Sequence, residues 1–150
     1  MKYAAILSVL IIVPALAFFS VERMQAPISR ACDLHFSSGL VLYSIPLADN
    51  PARIRRGLSG GGRGDSMLFY WRNEDIRTFS MKNTPVNLSV GFFDKDGFLF
   101  QVADMEAGSS KRYGSNASAK YALELATGQF QAKGLELGSR LIRKECGLLQ

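Results

Sequence analysis

Residues 86–103, VNLSVGFFDKDGFLFQVA, carry the strongest structural signal in this 150-residue chain. Val86, Leu88, Val90 and Phe92 alternate with smaller or polar residues, which is the period of a half-buried strand. A turn-forming sequence follows at residues 94–97, and a second apolar run returns over residues 98–103. This order predicts a β-hairpin, and the rest of the chain is interpreted outward from it.

Short strands are predicted on both sides of the hairpin. They cover residues 31–36, 40–47, 67–71, 76–81, 119–125 and 141–146. Asn50 followed by Pro51 predicts a capped helix over residues 51–56, and a second short helix is predicted between Thr127 and Gly134. Residues 107–117, rich in serine and glycine, are predicted as a loop. The sum predicts a mainly β fold, an antiparallel β sandwich or small barrel with two short helices.

The first 17 residues differ in character from the rest of the chain. Fourteen of them are hydrophobic, and Lys2 is their only charged residue. The apolar run is shorter than the roughly 20 residues of a spanning helix, and it ends in Ala15-Leu16-Ala17, a small-x-small pattern. It predicts a cleaved signal peptide over residues 1–17, with an uncleaved N-terminal membrane anchor as the alternative. An irregular tether over 18–30 and a single β-rich domain over 31–150 would follow.

The chain holds two cysteines, Cys32 and Cys146, near the two ends of the predicted domain. An even cysteine count in an exported protein favours pairing, because exported compartments are oxidising. We therefore predict one disulfide between them. The predicted localisation is the periplasm of a bacterium or the extracellular space.

The formal net charge is +5, and the basic residues are clustered. The clusters are Arg53-x-Arg55-Arg56 with Arg63, Lys111-Arg112, and Arg140-x-x-Arg143-Lys144. Such clusters attract anionic headgroups or acidic glycans, although solvated faces are the simpler interpretation. No nucleic-acid motif accompanies them, so no nucleic-acid partner is predicted.

Several partial motifs lack the residues that their chemistry requires. His35 is the only histidine, and a zinc site needs three or four ligands. The glycine-rich residues 60–64 lack the Gly-Lys-Ser/Thr ending of a phosphate loop. Asp94 and Asp96 begin a calcium-like loop, but no downstream acidic ligand follows. No metal, no cofactor and no catalytic residue is predicted.

Residues 81–84, Met-Lys-Asn-Thr, form the most specific short segment. Lys82, Asn83 and Thr84 offer a cation, an amide and a hydroxyl at the end of a predicted strand. They are candidate ligand-binding residues, together with the nearby aromatic residues Tyr70 and Trp71. A structured turn that satisfies local backbone groups is the alternative interpretation.

Five segments in this order and spacing resemble the domain-of-unknown-function family 192, a family of small, often exported prokaryotic proteins. They are residues 56–60 (RGLSG), 67–69 (MLF), 79–84 (FSMKNT), 92–97 (FFDKDG) and 119–125 (AKYALEL). The resemblance implies a compact β-rich domain and carries no established activity. The chain departs from the family pattern at Ser80, where a tryptophan is usual, and at Ser89, where an aspartate is usual.

The leading hypothesis is an exported, non-enzymatic binding or accessory module of the cell envelope, with a small ligand or an envelope component as its partner. One alternative is a hydrolase acting on an envelope polymer or glycan, which would use Asp94 or Glu124 with Lys82. A glycosidase of this kind needs two carboxylates beside a cleft. A further alternative is a structural partner of an envelope complex, held by the basic clusters.

Overall fold

The computed structural model describes residues 30–60 and 64–148. The predicted signal peptide and the tether up to residue 29 lie outside the described residues. The elements in chain order are β1 (Arg30–Phe36), β2 (Val41–Ala48), α1 (Pro51–Arg56), β3 (Met67–Asp75), β4 (Thr78–Ser80), β5 (Leu88–Phe93), β6 (Leu99–Met105), β7 (Arg112–Gly114), β8 (Ala119–Ala126), α2 (Gln129–Ala132) and β9 (Leu141–Leu148). The predicted mainly β fold with two short helices is confirmed.

Seven strands form one mixed sheet in the order β6-β5-β8-β3-β2-β1-β9, and β4 pairs with β7 in a separate two-stranded sheet. Every pairing is antiparallel except that of β2 with β3. Those two strands run parallel because the chain between them crosses over through α1, as parallel neighbours require. No helix within residues 30–60 and 64–148 has the length and apolar character to cross a membrane.

The large sheet curls so that its two ends approach each other without closing a barrel. A single antiparallel bridge joins Phe98 to Arg140. The Leu99 N–H donates to the Ser139 carbonyl at 2.8 Å, and the Leu141 N–H donates to the Gly97 carbonyl at 2.9 Å. The turn between β5 and β6 is therefore fastened to the start of β9.

The first helix begins and ends where the sequence predicts. The Asn50 side chain accepts a hydrogen bond from the Arg53 N–H at 3.0 Å, and Pro51 occupies the first turn, where its missing N–H costs nothing. The chain leaves the helix at Gly57, whose φ of 50° is unfavourable for other residues. This exit directs residues 58–60 back across the second face of the sheet.

Each face of the large sheet packs against its own core. The first core is built around Leu34, Leu68, Phe93, Leu123 and Phe130. The second core lies on the opposite face, which we call the second face, and contains Phe69, Met81, Val90, Phe92 and Ala122. Neighbouring residues of β3 and β8 enter different cores because successive side chains of a strand point to opposite faces.

The alternation in residues 86–93 predicts a strand buried on one face, yet all six residues of β5 are buried. Phe130 of α2, which belongs to the first core, covers the face of β5 that carries Gly91. A Cβ atom on Gly91 would lie 2.5 Å from the Phe130 ring, so only glycine leaves room for that ring. This contact joins residues that are distant in sequence, so the alternation within residues 86–93 does not predict it.

Three elements differ most from the prediction. β3 extends through the polar residues up to Asp75, and β4 keeps only three of the residues predicted at 76–81. β7 lies inside the predicted loop at 107–117. β4 and β7 are short strands that exist because they pair with each other across more than 30 residues of sequence.

The predicted disulfide is present. Cys32 and Cys146 face each other directly in the register of β1 and β9 and are joined across a sequence separation of 114. The bridge ties the first described strand to the last one.

Candidate functional site

A cavity of about 260 Å³ opens on the second face of the sheet, between α1 and its exit, β3, β4 and β8. Its wall combines aromatic rings, hydroxyl groups, two guanidinium groups and one carboxyl group. The residues that supply these groups are Phe69, Trp71, Phe79, Ser59, Thr78, Ser80, Thr84, Arg55, Arg56 and Glu124. The cavity has the volume of about nine waters at ~30 Å³ each, enough for a ligand the size of an amino acid or a monosaccharide.

Glu124 is the only buried carboxyl group among the described residues, with 4% of its surface exposed. It lies in β8 directly opposite Met67 on one side and Val90 on the other. Its Oε2 atom is buried and has no hydrogen-bond partner among the described residues. A buried carboxyl without a partner is costly, so its presence at the cavity wall is the feature that most needs a functional explanation.

Burial raises the pKa of Glu124 to about 8 from an ordinary value of 4.5. Desolvation is the cause, because low-dielectric surroundings disfavour the charged form. At pH 7 the group is therefore mostly a neutral carboxylic acid. In that form it has an O–H that can donate a hydrogen bond to an oxygen atom placed in the cavity.

The aromatic wall is packed tightly enough to hold its shape. Phe69 stacks on Trp71 with ring centroids 6.0 Å apart, and Phe79 meets Phe69 edge-on at 4.9 Å. The Arg77 guanidinium lies 4.5 Å from the Trp71 ring centre and makes a cation–π contact with it. The wall is therefore pre-formed around the carboxyl group, as most small-ligand sites are.

Two backbone hydrogen bonds bring the polar rim to this wall. The Gly60 N–H donates to the Asn83 carbonyl at 2.9 Å, which fastens the exit of α1 to the turn after β4. The Thr84 N–H donates to the Met81 carbonyl at 2.9 Å and closes that turn. Segments 56–60, 79–84 and 119–125, which are far apart in sequence, therefore meet at one cavity.

The family comparison agrees with this convergence. The family model DUF192, described as "Uncharacterized ACR", matches residues 35–142, which is 108 of the 150 residues. The chain belongs to the DUF192 family. The matched range contains every cavity residue named above.

Two solved structures are similar to this DUF192 protein. A putative transcription regulator from Sinorhizobium meliloti 1021 is 24% identical, with a TM-score of 0.65, and the match covers 80% of this chain and 92% of the other. A protein of unknown function from Novosphingobium aromaticivorans DSM 12444 is 23% identical, with a TM-score of 0.65, over 73% of this chain and 81% of the other. At these identities the likeness concerns the fold alone. No curated protein matches the chain.

The structure separates the five predicted binding residues of this DUF192 protein. Trp71 and Thr84 line the cavity. Lys82 and Asn83 are exposed on the turn beside it and are not among the cavity residues. Tyr70 lies on the opposite face of β3, where its ring stacks on Tyr121 at 5.5 Å. Tyr70 and Trp71 are adjacent in one strand, so they cannot face the same cavity.

Sequence reasoning assigned no binding role to several residues that line the cavity. Ser59, Phe79 and Ser80 are among these residues. The sequence indicates Arg56 only as part of a basic cluster, and Glu124 only as the acid of a hydrolase. A signal for Glu124 is present in the sequence, because a glutamate inside the apolar strand ALEL is unusual unless it is solvated or functional. The other four could not be recognised without the fold.

The acids required for the hydrolase alternative are not assembled at this cavity. Glu124 is the only carboxyl among the described residues that line it. Asp94 is used in the turn between β5 and β6, where its Oδ1 accepts hydrogen bonds from the N–H groups of Asp96 and Phe98, each at 2.9 Å. Among the described residues, no group of three or more His, Cys, Asp or Glu side chains is placed to hold a metal ion.

Proposed function

We propose that this DUF192 protein is an exported, non-enzymatic binding module of the cell envelope, with a small polar ligand bound in the Glu124 cavity. The buried carboxyl group of Glu124, unpartnered at the wall of a 260 Å³ cavity, is the observation that carries the proposal. A ligand oxygen that accepts the Glu124 O–H would supply the missing hydrogen bond and recover the cost of burial.

The surroundings of Glu124 favour a ligand that accepts hydrogen bonds over one that carries a positive charge. Arg55 and Arg56 line the cavity, and no carboxyl group other than Glu124 does so among the described residues. A cation would therefore enter a cavity that is lined by two arginine residues and whose one carboxyl group is mostly neutral at pH 7. Small hydroxy acids and monosaccharides offer the matching oxygen atoms.

Trp71 provides a site-specific probe of this binding. It is the only tryptophan in the chain, and it lines the cavity. We expect small hydroxy acids, amino acids or monosaccharides, titrated separately at pH 7, to include a class that changes the Trp71 fluorescence saturably. Glu124→Met, which removes the polar group and keeps the length, should abolish that change.

Two further variants sharpen the test. Glu124→Gln retains a hydrogen-bond donor and should bind within a few-fold of the wild type, whereas the exposed Glu136→Gln should bind unchanged. Saturable binding that survives intact in Glu124→Met would contradict the assignment of the site. If the protein hydrolyses the bound compound, the result would contradict the binding-module hypothesis and support the hydrolase alternative.

Residues 1–17 and the Cys32–Cys146 bridge support the export part of the proposal, because disulfides persist in oxidising compartments. Mass spectrometry of the protein isolated from its host should find a new N-terminus at Phe18. An intact N-terminus beginning at Met1 would indicate the uncleaved anchor instead.

A further inference from the structure

A second concave surface lies on the other side of the molecule, where the turn between β5 and β6 meets the start of β9. We name it the basic groove, and it is defined by Lys95, Asp96, Tyr121, Arg140, Arg143 and Lys144. Its volume is about 540 Å³, roughly twice that of the Glu124 cavity. The bridge between Phe98 and Arg140 creates it by bringing the two ends of the sheet together.

Positive charge dominates the basic groove. Four of the residues that line it are basic and one is acidic, Asp96, whose carboxylate pairs with Lys95 at 2.9 Å. Arg143 pairs with Glu145 at 3.2 Å. Within the described part of the chain, Arg140 and Lys144 have no carboxylate within 4.0 Å. Two cations are therefore available to an anion from solution.

These two cations are held in place by neutral groups. The Lys144 ammonium lies 5.0 Å from the ring centre of Tyr70 and 6.0 Å from that of Tyr121. Arg140 donates from Nε to the Asp96 carbonyl at 3.0 Å, and its guanidinium lies 4.9 Å from the Phe98 ring. An anion that binds them therefore has less side-chain motion to restrict, which favours binding.

The shape and the aromatic residues of the groove distinguish among polyanions. Tyr70 and Tyr121 stack on each other, and the ammonium groups of Lys120 and Lys144 lie 5.0–6.0 Å from their ring centres, so a stacking nucleobase would have to displace these contacts. The surface is concave rather than flat, which fits a chain molecule better than a membrane. An acidic sugar chain, unlike a nucleobase, can bind through cations and hydrogen-bonding groups alone and needs no open aromatic face.

We propose that the basic groove binds an acidic polysaccharide, with the carboxylates of its uronate units on Arg140 and Lys144. This interaction is separate from ligand binding in the Glu124 cavity and does not depend on it. It uses Tyr70 and Tyr121 to position Lys144.

The test is a titration of the purified protein with polygalacturonate at low ionic strength, measured by calorimetry. The Arg140→Gln/Lys144→Gln variant should bind roughly five- to twentyfold more weakly than the wild type, because each exposed ion pair contributes up to about fivefold. The matched control is Lys111→Gln/Arg112→Gln, which removes the same charges from a different exposed cluster and should bind within about twofold of the wild type.

Three results would overturn the proposal: no binding of polygalacturonate, an equal loss of affinity in both double variants, or tighter binding of oligodeoxythymidylate or of anionic phosphatidylglycerol vesicles than of polygalacturonate. The single variant Lys144→Gln keeps the test valid if the double variant misfolds. The Lys144 side chain is exposed and donates no hydrogen bond to the described backbone, whereas Arg140 donates to a turn. It should retain the wild-type melting temperature and still bind several-fold more weakly.

Discussion

Replacing Glu124 by glutamine tests the central physical claim about the cavity. The substitution keeps the size and the hydrogen-bonding character of the neutral acid but removes its ability to ionise. Glu124 is buried opposite Met67 and Val90, so the folded protein resists its ionisation while the unfolded chain does not. The variant should therefore differ from the wild type in a pH-dependent manner.

The sign and size follow from the two pKa values. The pKa of Glu124 is about 8 in the folded protein, against 4.5 as the ordinary value. Between these values the folded state binds the proton more tightly than the unfolded state, so the contribution of Glu124 to stability falls as the pH rises. At 1.36 kcal/mol per pKa unit, this loss amounts to about 2.5 kcal/mol between pH 5 and pH 7, and it levels off above pH 8.

The assay is urea unfolding of the wild type and of Glu124→Gln at pH 5, 6, 7 and 8. The variant should gain about 2.5 kcal/mol relative to the wild type from pH 5 to pH 7, equivalent to roughly 5–10 °C in melting temperature. Glu136→Gln serves as the control because Glu136 is exposed, and its difference from the wild type should not change in this window.

A difference between Glu124→Gln and the wild type that stays constant from pH 5 to pH 8 would refute the reasoning. It would mean that Glu124 titrates alike in the folded and unfolded states. A variant that becomes less stable than the wild type as the pH rises would mean that the folded protein holds an ionised, partnered carboxylate. Either result would remove the neutral acid from the proposed binding site.

Three further perturbations have defined outcomes. Gly97→Ala should destabilise the fold by about 2–4 kcal/mol, measured by chemical denaturation. Gly97 has a φ of 84°, and a new Cβ would lie 2.2 Å from a backbone carbonyl of β9. A change below about 1 kcal/mol would contradict the described contact. Replacing Cys32 and Cys146 together by alanine should lower the free energy of unfolding by about 4–5 kcal/mol on a chain-entropy basis, given the separation of 114 residues. Equal stability of the oxidised wild type and the variant would argue against the bridge. Lys82→Ala/Asn83→Ala should leave the melting temperature within about 2 °C, because both side chains are exposed; a reduced ligand affinity would place them at the rim, and a large loss of stability would support the structured-turn interpretation.

Local signals predicted the elements whose causes are local. The Asn50 cap and the adjacent Pro51 determine where α1 begins, and both can be recognised from the sequence alone. The hairpin of β5 and β6 follows from alternation around a tight turn. The separation of Tyr70 from Trp71 also has a local cause, because a strand places adjacent residues on opposite faces. The structure accordingly puts Trp71 at the cavity and Tyr70 on the other face of β3.

The candidate site depended on contacts between distant segments. The cavity needs the parallel crossover of β2 and β3, the hydrogen bond between Gly60 and Asn83, and the position of Glu124 between two neighbouring strands. β4 and β7 illustrate the same limit, because neither has a strand signal strong enough to define it without its partner. The basic groove exists only because the sheet curls until β9 reaches the turn after β5.

The sequence by itself determined the family, the mainly β class, the first helix, the central hairpin and the pairing of the two cysteines. Each of these depends on spacing, local propensity or the small number of possible partners. Tertiary structure alone decided that Glu124 is desolvated and unpartnered, that Phe130 covers Gly91, and that the cations of the basic groove meet. The reason is that burial and electrostatic environment are set by what the rest of the chain packs around a residue.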